Sequence, residues 1–245
     1  MKLILSYIFT PLFHFYFGMV LVVFHPIQVI AHRTMGDKAR KRVVEWLNLC
    51  LVSGMYIMGC RIRFKGLDNL PEGRPVIIAS NHQSMYDIPA VVHGFRQYYP
   101  KFISKIELGK NLPSISYNLK HGKSALIDRK NGAQSVKEIF KLGRLIQANN
   151  YAACIFPEGT RSKNGNVKKF MTAGINTLLR AAPDALIIPF VIDGHSTLIK
   201  KGMFPMQFGT PITYTALAPI EPKGRDVEEL AEEIRSLIKA ELGQN

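Results

Sequence analysis

Residues 3–32 contain not one Asp, Glu, Lys or Arg. A soluble amphipathic helix must turn one hydrated face to water, and that face rarely stays uncharged over such a length. The stretch holds LFHFYFGMVLVVF, rich in aromatic and branched residues, and it commits this end of the chain to helix in contact with lipid. A secretory signal peptide would also open with a lysine and an apolar run. Here no A-x-A-like cleavage site follows, only HPIQVIAHR, so the run reads as an uncleaved anchor.

Length bears on whether such an anchor crosses a bilayer. Pro11 and Pro26 bracket a helical candidate at 12–25, fourteen residues long. At about 1.5 Å per residue it reaches roughly 21 Å, against about 30 Å of hydrocarbon. A full span would need the flanks, residues 3–30, with kinks at both prolines. A second apolar run, LNLCLVSGMYIMGC at 47–60, has the same length, and the basic cluster Arg33, Lys38, Arg40, Lys41 and Arg42 lies between the two. Two short apolar helices around a basic turn read as a hairpin dipping into one leaflet in preference to two full spans. Residues 1–60 are therefore expected to be an amino-terminal membrane-anchoring helical hairpin, and 61–245 a separate globular domain.

Charge supports the same partner. Lys and Arg number 32 against 18 Asp and Glu, a formal +14, which calls for a polyanion, either nucleic acid or an anionic membrane surface. The anchor argues for the membrane and no nucleic-acid recognition motif is present, so nucleic acid is not expected as a partner. Cys50, Cys60 and Cys154 are widely spaced, with no C-x-x-C pair for zinc or redox work, and read as buried or membrane-facing thiols.

Beyond residue 60 the pattern changes. RIRFKG, PVIIAS, KFIS, SALID, AACIF and ALIIPFVID are short β-rich runs. They alternate with helical patterns at roughly 84–97, 133–148 and 172–182, and Asp226 reads as the N-cap of a final helix that stops at Gly243. Strands alternating with helices predict an α/β domain on a mixed, largely parallel sheet flanked by helices. Pro189, inside ALIIPFVID, implies an edge, a bulge or a bend.

In open α/β sheets ligands lie beyond the carboxyl ends of the strands, and two polar motifs fall there. The first, Asn81-His82-Gln83-Ser84-Met85-Tyr86-Asp87, directly follows PVIIAS. An imidazole can take a proton from a hydroxyl while a carboxylate holds its tautomer and stabilises the cation. Five residues apart, His82 and Asp87 would diverge by about 140° on one ideal helix. The pair can therefore meet only if His82 lies in the loop and Asp87 on the first helical turn. On its own, H-x4-D is a weak match, since a first-turn Asp is favoured by the helix dipole alone.

The second motif, Phe156-Pro157-Glu158-Gly159-Thr160-Arg161-Ser162, directly follows AACIF. Glycine allows close backbone approach, threonine adds a hydroxyl, and arginine offers a planar fork for phosphate oxygens. Lys163, Lys168 and Lys169 follow, in keeping with a phosphate headgroup or an anionic surface. Between the motifs, Lys105 and Arg129 each end an apolar run and are placed to face the same crevice, although either alone is more often a solvated charge.

NHQSMYD, SALIDR, FPEGTRS and IIPFV occur in the order of the four sequence blocks of the glycerolipid acyltransferases. Over about residues 60–215 the chain resembles that family, and within it the 1-acylglycerol-3-phosphate acyltransferases; the first and third blocks are the specific ones. The resemblance implies transfer of a fatty acyl group from acyl-CoA or acyl carrier protein to the sn-2 hydroxyl of 1-acylglycerol 3-phosphate, giving phosphatidic acid in phospholipid biosynthesis. It makes His82 the general base and Asp87 its orienting partner. It assigns Arg161, Gly159, Glu158, Thr160 and Arg129 to the substrate phosphate site, with Lys105 reaching the same phosphate. SALIDR carries Ala and Leu where bulkier aromatic residues are common, which leaves open an acceptor such as a lyso-ornithine lipid. A non-catalytic protein that binds anionic membranes is the alternative of another class. There is no G-x-S-x-G elbow for a covalent acyl-enzyme. Nor is there H-E-x-x-H, a zinc cysteine pair or a P-loop, so no metal or other cofactor is expected. The basic turn favours a membrane-associated chain with its site facing the cytoplasm, which would be the inner membrane if the chain is bacterial.

Overall fold

The computed structural model describes residues 1–162 and 164–244. Helix α1 (Lys2–Ser53) is helical except at Gly36, whose φ of 78° and ψ of −170° break it into two arms. Only a residue without Cβ adopts such a backbone at low cost. The arms fold back on one another: Tyr16 donates to the Cys50 carbonyl at 3.0 Å, and Phe13, Phe17 and Val20 share a core with Val44, Leu47 and Leu51. The expected hairpin is present, with two corrections. Helix runs unbroken through Pro11 and Pro26, so the first arm is more than twice the predicted fourteen residues. Arg40, read as part of a basic turn, is fully buried; it pairs with Asp37 at 2.7 Å and donates to Asn118 at 2.8 Å and to Tyr99.

The first arm lies along the globular domain and is tied to it at intervals. Ser6 and Thr10 accept from the Phe208 and Met206 amides, Phe13 and Phe17 pack edge-on against Tyr86, and Gln28 donates to Ser114 O. The opposite face carries exposed Ile4, Ile8, Leu12, Phe15, Met19, Val22, Val23, Ile27 and Ile30. Left in water, each forgoes on the order of 1 kcal/mol of burial.

Seven strands form one sheet in the order β1-β7-β6-β2-β5-β3-β4. They are β1 (Arg61–Lys65), β2 (Val76–Ser80), β3 (Lys101–Lys105), β4 (Ala125–Ile127), β5 (Ala152–Ile155), β6 (Leu186–Asp193) and β7 (Pro211–Ala216). All neighbours are parallel except β6 and β7. Because side chains alternate along a strand, Val76 and Ile78 face the core shared with α1 and α2 (Asp87–Gly94). Ile77 and Ala79 face the core built with α4 (Gly132–Asn149), α5 (Thr172–Ala181) and α7 (Val227–Glu241). The result is a sheet with helices on both faces.

The six strands expected from sequence are present, and Asp226 caps α7 by accepting from the Glu229 amide at 3.0 Å. Strand β7 and the short helices α3 (Ile115–His121) and α6 (His195–Leu198) are additional. Pro189 sits inside an internal strand, at a place where the flanking chain leaves the ladder. Leu217 donates to its carbonyl, pairing resumes only at Ile187 with Ile220, and its missing N–H interrupts no bond.

Candidate active site

The carboxyl ends of β2, β5, β6, β3 and β4 lie along one edge of the sheet, so the loops after them converge. After β2 the chain leaves the strand at Ser80, and α2 begins at Asp87 with His82 in the intervening loop, the junction the pair requires. His82 Nδ1 lies 2.7 Å from Asp87 Oδ2. The face of its ring stacks on Phe156 with centroids 4.1 Å apart, and its side chain keeps 15% exposure. Clamped on Nδ1 and on one face, the imidazole has no hydrogen bond at Nε2 among the described residues.

Asp87 is wholly buried. Oδ2 also accepts the Gln83 and Ser84 amides at 2.7 and 3.0 Å, while Oδ1 accepts from Ser84 Oγ at 3.0 Å and faces His195 Nδ1 at 2.5 Å. Burial alone would raise its pKa; the hydrogen bonds from His195 and His82 outweigh that and hold the carboxyl well below its ordinary range. Asp87 is thus a fixed anion. His195 was not singled out from sequence; a polar Gly-His pair directly beyond the carboxyl end of β6 was the available signal.

The second motif is tied to the first. Glu158 Oε1 accepts the His82 backbone N–H at 2.8 Å, Oε2 accepts the Lys168 N–H at 3.1 Å, and the Ser162 N–H donates to His82 O at 2.7 Å. Burial raises the Glu158 pKa, against the two N–H donors. With both oxygens so engaged, Glu158 braces the loop. Gly159 turns at a φ of +69°, and Lys168 Nζ reaches Thr160 Oγ1 at 3.0 Å and Arg161 O at 2.8 Å. Thr160 and Arg161 are exposed at the rim. Lys163 lies outside the described residues.

Lys105 ends β3 and Arg129 follows β4, both exposed on the same edge. At about 4.8 Å per strand, their strand ends stand roughly 10 and 14 Å from that of β2. Arg161, by contrast, is the immediate neighbour of the residue bonded to His82. Of the three cations, backbone connectivity brings Arg161 to His82 and leaves Lys105 and Arg129 progressively farther along the edge. Tyr86, buried within the first motif, packs edge-on against Phe13 and Phe17 at 5.3 Å, so the site abuts the apolar arm of α1.

The family model of the acyltransferases matches residues 61–193, more than half of the chain. Over 196 residues the chain is 26% identical to 1-acyl-sn-glycerol-3-phosphate acyltransferase alpha of Mus musculus, covering 77% of this chain and 66% of the mouse protein. It is 29% identical over 153 residues to the 1-acyl-sn-glycerol-3-phosphate acyltransferase of Pseudomonas aeruginosa, covering 62% and 58% respectively. The chain thus spans under two thirds of the length of these relatives. The crystal structure of the 1-acyl-sn-glycerophosphate acyltransferase PlsC from Thermotoga maritima superposes with a TM-score of 0.82, over 99% of this chain and 97% of that one. At 24% identity, this last likeness speaks to the fold.

Proposed function

The chain belongs to the acyltransferase family, and from that premise we propose that it transfers a fatty acyl group from acyl-CoA or acyl carrier protein to the sn-2 hydroxyl of 1-acylglycerol 3-phosphate. The observation that carries this reading is the 2.7 Å contact between His82 Nδ1 and Asp87 Oδ2 at the strand-end crevice. It supports Nε2 as the imidazole nitrogen that takes a proton.

His82 Nε2 removes the proton of the acceptor hydroxyl, and Asp87 stabilises the resulting imidazolium. The oxygen attacks the thioester carbonyl, giving a tetrahedral oxyanion. Collapse breaks the C–S bond, and the departing thiolate takes the proton from Nε2. Arg161 grips the lysolipid phosphate, the turn at Gly159 and Thr160 lets that phosphate approach the backbone, and Lys105 and Arg129 widen the field along the edge. The exposed apolar face of α1 lies in one leaflet. A helix pinned to the globular domain along its length, from Ser6 to His32, is poorly placed to cross a bilayer alone, so the acceptor's acyl chain stays in the leaflet while its headgroup rises to the crevice. The site then faces the compartment that supplies the donor, the cytoplasm.

The test is acyl transfer by the purified, detergent-solubilised chain. It would use oleoyl-CoA or an acylated carrier protein with lysophosphatidic acid, with lysophosphatidylcholine in parallel and His82→Ala as control. Phosphatidic acid from the wild type, and a loss of 100-fold or more in kcat in the variant, about the range for a general base, is the expected result. Wild-type turnover by His82→Ala would end the general-base assignment. No product with either donor would sink the acyl-transfer reading for this acceptor.

A further inference from the structure

Resting on the reading of His82 as general base, we infer that His195 is a positioning residue for Asp87, locked by Tyr214 in the neutral tautomer that donates from Nδ1. The negative charge of Asp87 is thereby kept for His82.

The turn that delivers His195 is dictated locally. Gly194 has a φ of +95°, and a Cβ built there would fall 2.2 Å from the Pro211 carbonyl oxygen. Only glycine can hold β6 against β7 and still turn the chain under α2. His195 then sits fully buried, Nδ1 at 2.5 Å from Asp87 Oδ1 and Nε2 at 2.8 Å from the Tyr214 hydroxyl. The two imidazoles thus take one oxygen each of the same carboxylate.

Proton positions follow from the partners. A carboxylate only accepts, so Nδ1 of His195 must carry hydrogen. Burial pushes the Tyr214 phenol well above its ordinary pKa, so it keeps its proton. That proton has two acceptors within reach, Nε2 at 2.8 Å and the Met55 thioether at 3.8 Å; the nitrogen is nearer and the better acceptor. Nε2 therefore accepts, and His195 is neutral.

Charge makes this consequential. With His195 neutral, the trio passes from one negative charge to none when His82 takes the substrate proton. A cationic His195 would instead take it from zero to plus one in a buried site, opposing the step. The other ionisable groups around the trio do not disturb this count. Cys154 on β5 is raised well above its ordinary pKa, chiefly by burial, Cys60 beside Tyr214 is pushed up to about 12, and Tyr86 is raised by burial as well. Glu158 faces the His82 backbone with Lys168 behind it, and His14 of α1 meets the Tyr86 hydroxyl at 3.4 Å and the Phe13 ring.

Two readouts test this on the full chain in detergent or nanodiscs. In 15N-histidine NMR at pH 7, His195 should appear as the neutral Nδ1–H tautomer. An Nε2–H or imidazolium signal at pH 7 would overturn the assignment, and this readout needs no turnover, so it stands apart from any failure of acyl transfer. In kinetics, His195→Leu frees Oδ1 of Asp87 and so loosens the aim of Oδ2 at His82; the lost alignment should outweigh any gain in basicity and lower kcat about tenfold or more, with the lysolipid KM held within about twofold. With one donor to Asp87 gone, the carboxylate grips the His82 imidazolium harder, and the acidic limb of kcat/KM should rise by about 0.5 pH unit or more. His195→Asn places an amide N–H where Nδ1–H stood and should recover most of kcat and the original limb. Equal kcat and equal limbs in the Leu and Asn variants would reduce His195 to packing and overturn the inference.

Discussion

Glu158 Oε1 accepts the backbone N–H of His82 at 2.8 Å, so a side chain from the loop after β5 holds the main chain of the loop after β2. With its other oxygen on the Lys168 N–H, one buried carboxylate sets the distance between the two motifs. Glu158→Ala strands two N–H groups and should cost about 2–3 kcal/mol of stability, with kcat reduced more than tenfold as His82 loses its seat. Thermal unfolding and steady-state turnover on the same preparation check this. A variant with unchanged melting and unchanged kcat would remove Glu158 from the account.

Arg161→Ala should raise the lysolipid KM about tenfold or more, the scale of one charge-assisted phosphate contact, with a smaller effect on kcat. Arg161→Lys should recover only part of that, since an ammonium lacks the planar fork. Arg129→Ala, whose strand end lies three strands away, should raise KM less than Arg161→Ala. Acceptor saturation curves for the three variants decide it; an Arg129→Ala effect equal to or larger than that of Arg161→Ala would relocate the phosphate.

Lys101 lies buried at the amino end of β3 with its Nζ 3.0 Å from the centre of the Tyr99 ring. Burial first, and Arg40 next, bring its pKa down to about 7. An ammonium held below its ordinary value binds its proton more weakly folded than unfolded. Stability should therefore rise with pH from about 7 to 10.5 and fall again on acidification through that window. Lys101→Met keeps the stem, and should raise the melting temperature at pH 7 and flatten that slope in differential scanning calorimetry. A less stable Met variant at pH 7 would mean that the ring contact outweighs the desolvation.

Phe15, at 70% exposure, and Met19 lie on the unpartnered face of α1. Phe15→Glu with Met19→Glu should cut partitioning onto anionic phosphatidylglycerol vesicles about tenfold or more, each apolar side chain contributing on the order of 1 kcal/mol when immersed. Stability should change by less than about 1 kcal/mol, because exposed positions are otherwise tolerant. Flotation measures the first and thermal unfolding the second; unimpaired flotation would defeat the lipid-facing assignment of this face.

What could be read directly from the amino acids was local. A run without charge over residues 3–32 argues against a helix with a hydrated face, whatever surrounds it. His82 and Asp87 lie within five residues at a strand-to-helix junction, where strand end and helical turn bring them near one another. Strand and helix periods gave six of the seven strands for the same reason, since periodicity is a property of short windows.

Tertiary structure decided what depends on distant partners. Strand β7 pairs with β1 and β6 across long separations, and its Tyr214 completes the hydrogen bonding of His195, which in turn meets Asp87 from 108 residues away. Arg40 counts as a surface charge in any composition until Asp37, Asn118 and Tyr99 close around it. Pro11 and Pro26 look like helix ends until the arm is seen held on both sides of each: by Ser6, Thr10 and Phe13 around the first, by Leu21 and Gln28 around the second. Contacts spread along a helix outweigh the one backbone hydrogen bond that each proline removes, and no short window of sequence contains those contacts.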